Sequence, residues 1–390
     1  MSSQKKANPR LGYYIETVTA GERVRAYIPP ALPPVPSLEL RPLLVLMEEA
    51  SRARGRLDRV ASILPDTNLF LFMYVRKEAL LSSQIEGTQS SLSDLLWFEN
   101  EPIQGVPLDD VKEVSNYVAA MDYGLARLEK LPISCRLIKE IHGILMAKGR
   151  GSDKGPGQFR RSQNWIGGTR PGNAMYVPPP TNKVIDCMSD LEKFIHEENS
   201  GLPLLIKVAL VHVQFESIHP FLDGNGRVGR LLITFMLCAQ QALKEPTLYL
   251  SLYFKRHRKQ YYHLLQVVRE EGDWESWLQF FLTGVKETAD LAYQTASRIV
   301  ELIETDREKL EKLGRPATSA LRVFQYLQTH PVISVPVAVK ALELTAPTIR
   351  KSIGHLEQEN ILREVSGRRR DRRYVYEQYL NILSEGTEPL

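Results

Sequence analysis

Between positions 219 and 230 the chain reads His-Pro-Phe-Leu-Asp-Gly-Asn-Gly-Arg-Val-Gly-Arg, which gathers a titratable ring, a carboxylate, flexible glycines and two guanidinium groups in one short stretch. Gly224 and Gly226 can take positive φ, so that consecutive backbone N–H groups converge on an anion. Where such a nest runs into a helix N-terminus, the unpaired N–H groups and the helix dipole favour phosphate. Asp223 offers a hard oxygen of the kind that holds Mg²⁺ against phosphate oxygens. Arg227 and Arg230, three apart at a helix start, can fork onto distal phosphates. His219, just ahead of the nest, is the side chain that titrates nearest neutrality and can take a proton from an incoming hydroxyl. The stretch suits the handling of a nucleoside triphosphate.

Simpler readings compete with this one. A histidine after a helix is often a structural hydrogen bonder, and Gly-Asn-Gly by itself is a good turn. An EF-hand loop fails, because counting from Asp223 puts Arg227 and Val228 where an acidic residue and a glycine belong. His212 and His219 lack a third metal ligand at suitable spacing, so His212 reads as a core-facing helix residue. No Walker A string and no HExxH occur.

The joint occurrence is decisive. The string resembles, at every fixed position, the signature His-Pro-Phe-x-(Asp/Glu)-Gly-Asn-Gly-Arg-x-x-Arg of the Fic family. That resemblance implies His219 as general base, Asp223 as Mg²⁺ ligand, and Gly224, Asn225 and Gly226 as the α/β-phosphate cradle. It implies Arg227 and Arg230 on the β- and γ-phosphates, with Val228 and Gly229 completing the ATP-binding stretch. The implied reaction is in-line attack of a Ser, Thr or Tyr hydroxyl of a target protein on the α-phosphorus of ATP, with pyrophosphate leaving. ATP is then the substrate and Mg²⁺ the cofactor.

Other segments are similar to the same family. Gln163 to Thr169, with Tyr176-Val177-Pro178, resembles the flap over the active site that positions a target segment by main-chain pairing, and puts Gly168 and Thr169 at the ATP site. Tyr261 and Tyr262 resemble the region contacting the adenine ring, although aromatic residues at this spacing also suit a core. Ser82-Ser83-Gln84-Ile85-Glu86-Gly87 resembles the inhibitory motif (Ser/Thr)-x-x-x-Glu-(Gly/Asn). Its i, i+4 spacing puts Ser82 and Glu86 on one helical face, and Gly87 is a natural helix stop. The resemblance implies that Glu86 pairs with Arg230 and displaces the γ-phosphate; the plainer alternative is a solvated helix-end glutamate.

Positioning these residues calls for a mostly helical frame, an all-α fold with a small β-flap. Residues 11 to 28 alternate around Ala20-Gly21 as a short hairpin ahead of the prolines at 29 to 36, giving an N-terminal arm over 1–37. Three- and four-residue apolar spacing predicts helices from Leu38 to Leu128, including Leu69 to Ile85, and again over Ile133 to Met146. Gly149 to Pro180 is too broken for helix and reads as a loop or β-flap. Helices are predicted over Asn182–Glu198, Pro203–Glu216 and Arg227–Leu243, and a long one from near Asp273 to Leu313. The expected units are the arm, a helical extension over 38–128 bearing the inhibitory helix, a catalytic core over 129–313, and a last domain over 314–390.

That last domain resembles a winged helix. Ala320–Thr329, Ala338–Leu342 and Pro347–Glu359 have helix-turn-helix spacing, and Ile361–Glu364 with Tyr374–Tyr376 bracket a basic wing. Arg350 and Lys351 on the second helix, with Arg368, Arg369, Arg370, Arg372 and Arg373 in the wing, could contact DNA phosphates. Such domains also serve as protein-interaction and dimerisation modules, and relatives with this layout self-modify and dimerise.

Composition sets wider bounds. A chain of 390 residues with 43% hydrophobic and 25% charged residues is ordinary for a soluble globular protein, and a net charge of +4 is mild. Cys135, Cys187 and Cys238 are scattered without metal-site or disulfide-scaffold spacing and read as reduced thiols. The start, Met1 to Lys6, has no apolar leader segment, and the most apolar stretch, Leu231 to Leu243, is short of the roughly 20 residues that span a bilayer. A cytoplasmic protein with no membrane partner is expected. Two rivals keep part of this reading: a DNA-binding regulator that senses ATP, and a Fic-fold enzyme that removes AMP or transfers another phosphate-linked group.

Overall fold

Apolar residues at helical spacing run through most of the chain, and the computed structural model, which describes residues 9–60, 67–92, 94–95, 108–314, 316–367 and 371–388, is accordingly mostly helical. The alternating segment near the start forms a hairpin, β1 (Tyr13–Thr19) against β2 (Glu22–Ile28), in the antiparallel register Tyr13 to Ile28. Ala20 and Gly21 turn it with φ of 50° and 82°, the pair of positive angles that a two-residue I′ connection requires. The hairpin does not stand alone. Tyr27 N–H donates to the Val177 carbonyl at 2.9 Å, and the Pro30 carbonyl accepts from Gln214 at 2.7 Å, so the arm is strapped across the flap and a core helix.

The helices follow as α1 (Leu44–Val60), α2 (Thr67–Ile85), α3 (Leu108–Leu128), α4 (Cys135–Leu145), α5 (Thr181–His196), α6 (Leu204–Ile218), α7 (Asn225–Ala239), α8 (Ser251–Arg256), α9 (Arg258–Glu271) and α10 (Trp274–Glu311). The chain ends in α11 (Ala317–Thr329), β3 (Val332–Ser334), α12 (Val335–Leu342), α13 (Ala346–Gln358), β4 (Arg363–Glu364), β5 (Arg373–Val375) and α14 (Glu377–Ser384). β5 is the middle strand of an antiparallel sheet, pairing Val332 with Val375 on one side and Arg363 with Val375 on the other.

Helix α6 is apolar on every face, the mark of a helix enclosed by its neighbours. Every residue from Val208 to Ile218 is buried. It packs against α7, and α10 crosses it with Trp277 in an aromatic cluster that includes Phe254, Tyr261 and His212. Trp277 is fully buried, and its Nε1–H donates to the Ala209 carbonyl at 2.9 Å. Along its length α10 carries α1 on one side and reaches α11 and α14 at its far end, where Asp306 accepts the Tyr376 hydroxyl at 2.7 Å.

One expected boundary needs correction. The helix predicted over Arg227–Leu243 runs from Asn225 to Ala239, because Gln240 caps it and Gln241 turns out at φ 51°. The flap at 149–180 holds a single bridge, Ile166 to Tyr176, with a short 3₁₀ turn at Pro171–Asn173, since its polar residues bond locally instead of forming a ladder. Strand β3 was not foreseen. Arg315, at the expected domain boundary, lies outside the described residues. Cys135, Cys187 and Cys238 are free thiols, pushed up by burial to about 12, 11 and 12. Among the described residues no helix is long and apolar enough to cross a membrane.

Because Trp277 fixes the position of α6, Trp277→Ala should remove about 3–5 kcal/mol of stability. Urea unfolding followed by circular dichroism measures this, and a midpoint equal to wild type would show that α6 is held by other contacts.

Candidate active site

The turn between α6 and α7 is built by its own side chains. His219 ends α6 at φ 49°, its N–H still bonded to the Phe215 carbonyl at 2.9 Å. A histidine tolerates this left-handed conformation only where neighbours fix it. They do: Arg160 donates from Nε to the His219 carbonyl at 3.0 Å and from its backbone to the Pro220 carbonyl at 2.9 Å. Asn225 closes the loop in both directions, accepting from Phe221 N–H at 2.8 Å and donating to the Phe221 carbonyl at 2.9 Å. Asn164 of the flap adds a second donor to that carbonyl at 3.0 Å.

His142 supports the loop from α4. Its ring stacks on Phe221 at 3.7 Å and 3°, and Nδ1 accepts from Gly157 N–H at 2.9 Å. The proton must then sit on Nε2, which donates to the Asp223 carbonyl at 3.0 Å. Gly224 takes φ 75° immediately before α7, which turns the backbone into the helix N-terminus. Asp223 keeps a partly exposed carboxylate, with Oδ1 accepting from Gly224 N–H at 2.6 Å.

The two arginines of the loop have different settings. Arg230 is 3% exposed and donates to the end of α2 and the turn after it: Nε to Ser82 Oγ at 2.8 Å, Nη2 to the Ser82 carbonyl at 2.9 Å, and Nη2 to Glu86 Oε1 at 2.9 Å. The Glu86 carboxylate also lies against Gly226, where any Cβ would collide with it. Burial would raise its pKa, but Arg230 outweighs that and holds it below the usual carboxylate range. Gly87 then ends the segment at φ 103°. Arg227, by contrast, is 1% exposed and paired with Glu113 of α3 at 3.2 Å. Its guanidinium also approaches Asp223 Oδ1 at 3.5 Å and Met146 Sδ at 3.4 Å, and Glu113 meets it from a helix with no local sequence link to the loop.

Burial pushes His219 down to about 3, with the charges of Arg160 and Arg269 adding to it, so the ring is neutral near pH 7. His142 falls to about 4 and His212 to about 3, again through burial. Burial raises two nearby carboxyls, Glu78 and Glu216, to about 7 each.

The remaining expected residues distribute unevenly. Val228 turns its side chain inward at 2% exposure, and Gly229 lies against Glu216 and Phe215. Tyr261 is 1% exposed and bonds His212 at 2.9 Å, so its ring belongs to the aromatic core; Tyr262 beside it keeps 40% exposure and is the tyrosine that faces outward. Gly168 and Thr169 are exposed at the flap tip, where Asn173 Oδ1 accepts Thr169 N–H at 3.0 Å. In the C-terminal region Arg350, Lys351 and Arg372 are exposed and Arg373 is half-buried, and an open cleft of about 790 Å³ lies between Arg350 and Arg372. Arg368, Arg369 and Arg370 lie outside the described residues.

Residues 44–126 match the family model described as Fic/DOC family N-terminal, and residues 132–237 match that described as Fic/DOC family. The chain is similar to the protein adenylyltransferase Fic of Drosophila erecta and of Drosophila melanogaster, each 31% identical over 219 residues, which is 55% of this chain and 41% of the relative. It thus spans about 41% of the length of these curated relatives. A solved Fic family protein from Desulfovibrio desulfuricans covers 87% of this chain and 97% of its own at 21% identity and a TM-score of 0.57. A Fic domain containing signaling protein from Bacteroides thetaiotaomicron covers 64% of this chain and 98% of its own at 16% identity and a TM-score of 0.51. Both likenesses are of fold.

If the loop is held as described, the ring resonances of His142, His212 and His219 should remain those of neutral imidazole from pH 8 down to about pH 5, given values near 4, 3 and 3. Heteronuclear NMR of ¹⁵N-histidine protein reads this, and a midpoint near 6.5 at any of the three would mean a solvated ring.

Proposed function

We propose, for a chain that carries the N-terminal and Fic domains of the Fic/DOC family, that it is a protein adenylyltransferase: it moves AMP from ATP to a hydroxyl side chain of a target protein. The observation that carries this is one loop with a neutral imidazole at its entry and an anion-binding turn opening α7 at its exit. His219 takes the proton of the target hydroxyl as its oxygen attacks the α-phosphorus. The bond from that phosphorus to the β-phosphate oxygen breaks, and pyrophosphate leaves. Backbone N–H groups at Gly224 to Gly226 and the start of α7 stabilise the charge that develops on the phosphates.

Mg²⁺, where bound, neutralises phosphate charge. Asp223 fits such an ion, since its carboxylate is partly exposed beside the nest and a magnesium site commonly takes one or two protein carboxylates with phosphate and water. Arg230 is the group for the distal phosphate, and Arg227, held by Glu113, adds positive charge from below the nest. In this reading Glu86 is an inhibitor, because a carboxylate on Arg230 occupies the position of the γ-phosphate and leaves the α-phosphorus misaligned. A displacement of about 1 Å can cost on the order of 10²-fold in rate.

The region 314–390 is proposed as a winged helix that contacts DNA phosphates. What supports this is α13, which opens with Thr345 accepting from Thr348 N–H, buries Ile349, Ile353 and Leu356, and leaves Arg350 and Lys351 exposed, with Arg350 lining the same cleft as Arg372.

With ATP labelled at the α-phosphate, His219→Ala should lose roughly 10²–10⁴-fold in incorporation while keeping nucleotide affinity. Glu86→Gly should raise incorporation on the order of 10²-fold, Arg230→Ala should show no such gain, and Glu86→Gly with His219→Ala should stay inactive. Label from the γ-phosphate instead would mean a kinase, and equal rates for wild type and Glu86→Gly would remove the inhibitory role. For the C-terminal region, duplex DNA affinity of the full chain should fall steeply with salt, and each of Arg350→Ala and Arg372→Ala should lower the slope by about one. Anisotropy titration at low ionic strength without any salt-dependent binding would leave the region as a protein-interaction module.

A further inference from the structure

Helix α2 carries Ser82 and Glu86 toward Arg230, and its opposite side is held by the far end of the chain. Gln84 lies about 200° around the helix from Ser82, so its side chain leaves the face away from the arginine. It is 1% exposed, with Nε2 donating to the Thr387 carbonyl at 2.8 Å and to the Ser90 carbonyl at 3.1 Å, and Oε1 accepting from Lys255 Nζ at 2.7 Å. Lys255 also donates to the carbonyls of Gly386, at 3.4 Å, and Glu388. Two turns earlier on α2, Lys77 donates to the Glu385 carbonyl at 2.8 Å. The Glu385 carboxylate in turn takes both Nη atoms of Arg298 on α10, each at 2.8 Å. Gly386 makes the turn at φ 80°, packed on Leu252.

We infer that the segment Glu385–Glu388 is a latch that holds α2, and with it Glu86, in the position that occupies Arg230. This rests on the adenylyltransferase reading for its effect on rate, though not for the contact itself. Two physical points carry it. First, the buried amide of Gln84 and the ammonium of Lys255 depend on carbonyls of this segment, and buried polar groups without partners are costly. When the segment leaves, the end of α2 must shift to water or to new partners. Second, Glu86 follows Gln84 by two residues at the helix end, where Glu86 N–H and Thr88 N–H both bond the Ser83 carbonyl, so movement at 84 reaches 86 directly. Helices α11 and α14 of the same C-terminal region also pack on α2, and the Phe72 ring meets His330 at 6.0 Å. The inhibitory helix is therefore gripped from behind by the part of the chain proposed to bind DNA.

The test uses the full chain, a chain ending at Ser384, and Lys255→Met, each with and without Glu86→Gly. Two quantities are measured: incorporation of α-labelled AMP, and hydrogen–deuterium exchange in peptides spanning 82–88. Loss of the latch should raise incorporation on the order of tenfold, the worth of one charge-assisted buried hydrogen bond, and should speed exchange at 82–88. In the Glu86→Gly background neither change should add further activity. Unchanged exchange at 82–88 in both variants overturns the latch, and so does a gain that persists in the Glu86→Gly background, since it would not pass through Glu86. If the shortened chain fails to fold, Lys255→Met and Arg298→Ala decide by the same two measurements. If Glu86→Gly itself incorporates no label, the activity reading fails while the exchange result still decides the latch.

Discussion

A guanidinium that is 3% exposed sets the terms for this molecule. Arg230 sits one turn into α7 because the loop needs a cation at the head of the helix, and a cation enclosed there must be paired. Its partners are the hydroxyl and carbonyl of Ser82 and the carboxylate of Glu86, from the end of α2 and the turn that follows it, more than 140 residues earlier in the chain. Much of the remaining architecture holds that meeting in place: α3 and α8 flank α2, α6 and α7 present the loop, and α10 ties α6 to the end of the chain. Removing Ser82 or Glu86 would leave charge buried and uncompensated unless another anion arrived. A phosphate is such an anion, so pairing for stability and competition for a ligand are the same contact seen from two sides.

The loop shows a comparable economy. His219 adopts a left-handed conformation, held by Arg160 through the carbonyls of Pro220 and His219, and it loses its proton to burial, with the charges of Arg160 and Arg269 adding to the shift. Asn225 satisfies the donor and the acceptor of Phe221, and the Phe221 ring lies flat under His142. With the backbone fixed in this way, the N–H groups that open α7 are held in place, which is the condition under which such donors lower a barrier most.

What the sequence disclosed follows from how far apart the cooperating residues lie. The loop from His219 to Arg230 is contiguous, so its chemistry could be read in order, and Ser82 with Glu86 share a helical face by spacing alone. Helices of strong periodicity such as α4 and α10 fall where their apolar residues put them. By contrast, Glu113, His142 and Arg160 reach the loop from elements 59 or more residues away in sequence, and nothing local marks a glutamate in α3 as the partner of Arg227. Tyr261 and Tyr262 illustrate a finer limit: adjacent residues on a helix point about 100° apart, and only packing against Trp277 and His212 decides which is enclosed. Strand β3 was invisible because three residues make a strand only when β5, some forty residues later, pairs with them.

The buried acids and bases around Arg230 also bear on how the folded state responds to pH. Neutral His142, His212 and His219 have folded values below the ordinary one, so their contribution to stability is complete above about pH 6.5 and is lost as pH falls toward 4 and 3. Glu78 and Glu216 have folded values raised to about 7, so their contribution is complete below about pH 4.5 and is lost as pH rises toward 7. Between these limits the two sets oppose each other, and the sum changes less than either alone. The cause is common to both, since each group is buried and burial disfavours charge of either sign. Glu86 escapes this levelling only because it touches Arg230 and keeps part of its carboxylate in water, with its side chain 32% exposed. Among Glu78, Glu86 and Glu216, the carboxyl held below the usual range is the one at the helix end, where movement of a single turn can take it away.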